Sequence, residues 1–304
     1  MNPTLIAELQ RCEKLPSIPA IAEKIIALAR DPDTDNKTVA AVLEQDPAIA
    51  SKLLRWASSP YYGQVHTHRT VIGAVCLFGV RESLNIALSF SLIDSLRARK
   101  NHSLDYEGFW RRSLLAGVYA RNVAKQLGHI DGDEVFLAAL LQDIGMMALD
   151  QVRPNLYGGI TDTHDYHRAA CQIELDSEGD DHAGVGAWLL AQWGLPQPLI
   201  AAVAHSHSAM LTGDQQQSSE SNRIVMVSGA LADMWLNPNA KEQFNLARTQ
   251  TVSLLGLSDH GVGHVIAAAG PDAKEVGKLF RITLMEPRAT QRLLDVAARA
   301  AHDT

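Results

Sequence analysis

Apolar residues recur at helical spacing along nearly the whole chain, and alternating apolar and polar stretches of useful length are absent. The pattern predicts an all-α fold. In the segment opened by Ser17 and Pro19, residues Ile18, Ile21, Ile25, Leu28 and Ala29 mark one buried helix face. Asn36 is placed to cap a helix carrying Val39, Val42 and Leu43, and Asp46-Pro47 ends it and starts another with Ile49, Leu53, Leu54 and Trp56. A helix from about Thr70 to Phe78 stops at Gly79, and the next runs to about Arg99. A long helix from Asp105 to Leu127 ends at Gly128, after which Asp131 or Asp133 caps one reaching Leu149.

Further on, the spacing predicts a helix from about Thr163 to Leu175, another from Asp181 to Trp193, and a third from Pro196 to His207. The Gln- and Ser-rich stretch Thr212 to Ser221 reads as a surface loop. Ile224, Val225, Val227, Leu231 and Met234 mark a helix ended by Pro238, and two or three more follow, with breaks expected at Gly256, Gly270-Pro271 and Pro287. The polar stretch Arg97 to Ser103 suggests a joint, giving an amino-terminal lobe (1–100), a second lobe (101–235) and a carboxy-terminal helical extension (236–304).

Composition narrows this picture. The chain has 304 residues, 46% hydrophobic and 20% charged, enough for a large core and unlike a disordered protein. Lys and Arg total 27 against 34 Asp and Glu, a net charge of -7, and no long basic run occurs, so nucleic acid is not an expected partner. No leader-like start or window of about 20 apolar residues is seen, so no membrane association and a cytoplasmic location are expected. Cys12, Cys76 and Cys171 are far apart and read as buried free thiols.

Several stretches taken in order resemble one family. Leu15-Pro16 with Pro19, then Asp46-Pro47-Ala48 and Lys52 to Ser59, then Gly73-Ala74 and Leu77-Phe78-Gly79, resemble the amino-terminal pattern of HDOD domains. Phe109 to Ser113 and Ala138 to Gly145 are similar to the family's two HD-like helices. Asp181-His182-Ala183, Gly186-Ala187, Trp193 to Pro196 and the His205 region resemble its carboxy-terminal half. The resemblance covers roughly residues 14–235. It implies an all-helical fold and a role in bacterial signal transduction, often beside cyclic-dinucleotide enzymes, in a non-catalytic relative of the HD metal-dependent phosphohydrolases.

Those enzymes gather imidazole and carboxylate ligands around divalent ions that activate water. Matched to their pattern, the first histidine falls on Arg112, the His-Asp pair on Gln142-Asp143 and the last aspartate on Gly229. Guanidinium has no lone pair to offer, and an amide is a poor ligand. His182 and His205 remain, with Ser206 in place of a second histidine, His207 displaced by one residue, and Asp233 one turn beyond Gly229. No catalytic residue, metal or cofactor is therefore expected. Arg112, Gln142, Asp143, His182 and His205 are expected to line a degenerate pocket, with Asp143 paired to Arg112.

His66 with His68 and His164 with His167 lack neighbours that complete four ligands, so they read as solvated. Trp56, Trp110, Trp188 and Trp193 read as core, whereas Tyr61 and Tyr62, in a Pro-Tyr-Tyr-Gly turn, form a candidate partner surface. The segment after Pro287 resembles the linker helix preceding diguanylate cyclase domains of the GGDEF type. Leu293 and Leu294 are its candidate contacts, toward such an output domain or toward a second copy in a homodimer. Two other functions stay open: an active HD-type phosphodiesterase and a purely structural adaptor.

Overall fold

The structure is a computed structural model that describes residues 2–59, 69–97, 103–160, 166–207, 218–236 and 240–286. Tyr61, Tyr62, His66, His68, His164, Leu293 and Leu294, and most of the expected Thr212 to Ser221 loop, lie outside the described residues. Every regular element among those described is a helix.

The amino-terminal part holds α1 (Pro3–Arg11), α2 (Ala20–Arg30), α3 (Asn36–Leu43), α4 (Pro47–Ala57), α5 (Val71–Phe78) and α6 (Val80–Arg97). Their ends follow local chemistry. Asp46 accepts from the amides of Ala48 and Ile49 with Pro47 at the first helical position, and Thr70 caps α5, which ends at Gly79 with φ +86°. Asp35, rather than Asn36, caps α3: its backbone is extended (φ -107°, ψ 168°) and its carboxylate accepts from the Thr38 amide, whereas Asn36 is already the first helical residue.

The second part holds α7 (Tyr106–Leu127), α8 (Gly132–Leu141), α9 (Ile144–Val152), α10 (Tyr166–Glu178), α11 (His182–Gln192), α12 (Gln197–Ala204) and α13 (Glu220–Leu236), followed by α14 (Ala240–Leu255) and α15 (Asp259–Phe280). α7 runs through the middle, packed by α8, α13 and α15, while α6 carries the amino-terminal helices onto α8. Buried apolar side chains form one continuous core from Leu5 to Leu284. Each fully buried leucine or isoleucine in it contributes roughly 1.5–3 kcal/mol. Before α7, buried Asp150 holds the chain: its Oδ1 accepts from the amides of Ser103 (2.8 Å) and Leu104 (3.0 Å).

Three expectations are corrected. The helix expected from Asp131 or Asp133 to Leu149 is capped by Asp131 and breaks at Gln142-Asp143, where Asp143 leaves helical geometry (φ -100°, ψ 7°). Its apolar stretch, Gly132–Val152, could cross a membrane by composition, but 89% of its apolar window is buried inside the fold. The break expected at Gly270-Pro271 does not occur, because exposed Pro271 lies within α15 while Val265, Ile266, Ala269, Ala273 and Val276 are buried on its other face. Tertiary packing outweighs the local cost of the proline. Of the cysteines, Cys171 is buried, Cys12 half-buried and Cys76 exposed. Trp56 and Trp110 are in the core, with Trp188 and Trp193 packed at its edge.

Candidate functional site

The break between α8 and α9 builds the site. Asp143 occupies a cap position but makes no cap bond to its own helix, so its carboxylate turns inward. α9 reaches α11 only because residue 145 is glycine: a Cβ there would lie 2.0 Å from the His182 carbonyl oxygen and 2.6 Å from the Gly186 amide nitrogen. This close crossing brings buried His182, the first residue of α11, beside buried Asp143.

One side of Asp143 is an arginine network. Arg112 on α7 donates from Nη1 to Asp143 Oδ2, and it grips Asp233 on α13 with Nε to Oδ1 at 2.8 Å and Nη2 to Oδ2 at 3.1 Å. The forked pairing matches guanidinium to carboxylate geometry. Gly229, where the enzymes would carry an aspartate, leaves room for it: a Cβ there would stand 2.9 Å from Arg112 Nη2 and 3.1 Å from Gln142 Oε1. Burial works against the charge of Arg112, but Asp143 and Asp233 outweigh it and raise its pKa further. Burial also pushes the Asp143 carboxyl up, yet Arg112 and His167 hold it well below the usual carboxylate range.

The other side is a histidine cluster. Asp143 Oδ1 lies 3.3 Å from His167 Nε2, 3.4 Å from His182 Nε2 and 3.9 Å from His207 Nε2, and the first two nitrogens are 3.1 Å apart. Behind them stand two more carboxylates. Glu174 takes His182 Nδ1 at 2.6 Å and its amide at 2.8 Å, and accepts the Tyr157 hydroxyl at 2.7 Å. Asp181, the cap of α11, takes His207 Nδ1 at 2.8 Å. Burial would keep His182 neutral, but Glu174 and Asp143 push its pKa up to about 10. Burial and the neighbouring His182 push His207 down to about 4 despite Asp181. Cys171 Sγ lies 3.8 Å from His207 Nδ1, and burial with nearby carboxylates pushes its thiol up.

Of the expected pocket residues, the structure brings together Arg112, Gln142, Asp143 and His182, and the expected Arg112 to Asp143 pair is present. His205 is elsewhere: it is exposed and turned back onto the Ala201 carbonyl. α12 ends at Ala204, so the residues after it follow a turn rather than helical rotation, and the turn delivers His207. His167 is likewise no solvated residue but a buried member of the cluster. Sequence reasoning passed over a signal here. His167, Cys171 and Glu174 recur at i, i+4 and i+7, which places three polar side chains on the buried face of α10.

The set used by the metal-dependent HD enzymes does not fit: Arg112, Gln142 and Gly229 supply no such ligands, and the guanidinium occupies the space on that side of Asp143. Two cavities flank the pair of Arg112 and Asp233. One of about 220 Å³ is lined by Asp143, Phe109 and Tyr166, and one of about 280 Å³ by Cys171, His207 and Gln250.

The HDOD domain, as a family pattern, matches residues 15–209. Among solved structures, an HDOD domain protein of unknown function from Geobacter sulfurreducens aligns at TM-score 0.68 and 22% identity, covering 91% of this chain and 97% of that one. A Shewanella amazonensis protein named as a phosphohydrolase aligns at TM-score 0.68 and 20% identity, over 90% and 98%. A Marinobacter aquaeolei protein named for signal transduction aligns at 0.56 and 20%, over 97% and 65%. At these identities the likeness shows the fold alone. An uncharacterized protein of Treponema pallidum (strain Nichols) is 23% identical over 203 residues, which is 64% of this chain, and the match spans 39% of that relative's length.

Proposed function

The chain belongs to the HDOD domain family, and from that premise we propose that it is a non-enzymatic bacterial signalling module. In this reading it binds a protein or small ligand and regulates an attached or separate output domain. The observation that carries the reading is Arg112, which occupies the pocket between Asp143 and Asp233 with a permanent charge. Hydrolysis by the HD enzymes needs metal ions where that charge sits. The flanking cavities leave room for a ligand beside the network, which favours a binding role over a purely structural adaptor. A cytoplasmic location and an output enzyme of the GGDEF type, acting in cyclic-di-GMP signalling, complete the proposal.

The test is turnover. Purified protein supplied in turn with manganese, iron(II) and zinc is expected to leave bis(p-nitrophenyl) phosphate and cyclic dinucleotides intact. Hydrolysis that disappears in Asp143→Asn would overturn the reading and install the second one, an active phosphodiesterase. The histidine cluster is the observation favouring that alternative. For regulation, replacing Leu293 and Leu294 with serine in a version carrying a cyclase domain is expected to change cyclic-di-GMP synthesis. Unchanged synthesis and regulation in a folded protein would remove the linker role.

A further inference from the structure

Three glutamine side chains, Gln142, Gln243 and Gln250, line one cavity, and none is hydrogen-bonded to another described residue. This cavity of about 280 Å³ lies between α10, α13 and α14, with Gln142 entering from the end of α8 and the other two from α14. Gln142 is 1% exposed, and its amide nitrogen is buried without a partner. Gln243 is buried and Gln250 half-buried. On the reading that the chain binds a small ligand, we infer that this cavity takes a neutral, planar heterocyclic amide, the class of molecule that includes free nucleobases.

Other polar groups on the lining are already engaged. Gln172 donates to Asp176 at 2.9 Å, Ser206 donates to the Val203 carbonyl at 2.8 Å, and Arg112 pairs with Asp233. Burying an amide without a hydrogen bond costs stability, so three free ones around a cavity are suited to binding rather than to packing. Gly229 on α13 keeps the space beside Gln142 open, since a Cβ there would stand 3.1 Å from Gln142 Oε1. Gln243, Leu246, Gln250 and Leu254 follow helical spacing, so one stripe of α14 faces the cavity. α14 lies beyond residues 15–209, so the family pattern does not supply the wall that carries two of the amides.

The ligand class follows from the lining. A glutamine amide offers both donors and an acceptor, and a ring that carries a carbonyl beside an N–H answers both at once. Glutamine pairs with adenine in this two-bonded way. Cys171, Leu175, Met226 and Leu254 supply apolar surface for the faces of such a ring. A charged head fits less well: Arg112 is already neutralised by Asp143 and Asp233, and the other arginine on the lining, Arg168, is exposed at the rim. The volume lies near the lower end of the range of about 300–1,000 Å³ that holds drug-sized ligands, which suits one ring or two fused rings. In the competing arrangement ordered water alone satisfies the three amides.

Calorimetric titration of the full chain with hypoxanthine and with uracil separates the two, beside indole, a fused ring that has an N–H but no carbonyl. Saturable binding of at least one of the two amides at one equivalent per chain is expected, with a raised Tm and an affinity at least about tenfold above that of indole. Gln142→Met replaces an unpartnered amide with an apolar chain of similar length. It is expected to weaken binding about tenfold or more while the Tm of the free protein stays level or rises. Gln250→Leu, at a half-buried position on α14, should weaken binding in the same way and serves if Gln142→Met does not fold. Gln172→Ala should keep full affinity, because that amide is already engaged with Asp176. Binding that leaves cyclic-di-GMP synthesis unaltered in a version carrying a cyclase domain supports the site and counts against the signalling reading. No binding of hypoxanthine or uracil up to about 1 mM, in protein that leaves phosphodiesters intact, overturns the site alone. Equal affinity for indole, or wild-type affinity in both Gln142→Met and Gln250→Leu, overturns it as well.

Discussion

The two oxygens of Asp143 face differently built halves of one buried pocket. Oδ2 meets Arg112, a fixed charge clamped in turn by Asp233, whereas Oδ1 meets three imidazoles and has no hydrogen bond of its own. The arginine half is closed by complementary charge. The histidine half is built of groups that change protonation and accept other partners, oriented by Glu174 and Asp181. The contrast teaches that loss of the enzymes' ligand positions empties only half of such a pocket of its chemistry.

The largest expected effect comes from the contact that creates both halves. Gly145→Ala forces a methyl into the His182 carbonyl and the Gly186 amide, so α9 and α11 must separate. A loss of about 4 kcal/mol or more in urea denaturation, or failure to accumulate folded protein, is expected. A loss below about 1 kcal/mol would show that the crossing yields more easily than the geometry implies.

Next is the arginine half alone. Arg112→Met leaves Asp143 and Asp233 without their cation in a buried setting, a change that costs about 3–5 kcal/mol by equilibrium unfolding. Adding Asp233→Leu should recover part of that loss, since it removes one stranded charge. If the single substitution is neutral, the network is not what closes this half.

Two neighbouring histidines then sharpen the comparison. His207→Ala leaves Asp181 without its imidazole and is expected to cost about 1–3 kcal/mol. His205→Ala, on an exposed side chain, should stay within about 0.5 kcal/mol. Equal effects would contradict the placement of the two residues.

The smallest effect belongs to a histidine outside the pocket. His129 sits at the surface with Nε2 2.6 Å from Glu220, and that hydrogen bond, followed by the Leu127 carbonyl, raises its pKa. A raised folded-state value means the pair's stabilisation is full below the ordinary value of about 6.5 and is lost as pH rises through the folded value. The wild-type Tm should therefore exceed that of His129→Gln slightly at pH 5.5, with the gap closing at alkaline pH. Solvent and salt keep it small. A gap that grows with pH would reverse the assignment.

What the sequence by itself determined is what short-range chemistry controls. The helix starts at Asp46, Thr70, Asp105 and Asp181, and the stops at Gly79 and Gly128, follow from side chains that satisfy nearby amides or from glycines that accept positive φ. The all-helical class and the pairing of Arg112 with Asp143 were legible for the same reason, that residue type constrains chemistry. Tertiary structure alone decided the rest. The break at Asp143 depends on partners from α7, α10 and α11, and the continuity of α15 through Pro271 depends on the face it buries. His207 rather than His205 enters the pocket because α12 ends at Ala204, and a turn carries the chain from there by a path that helical spacing does not describe. His167 joins it because α10 buries the face that carries His167, Cys171 and Glu174: their spacing groups them on one face, but what packs against α10 decides that this face is the buried one.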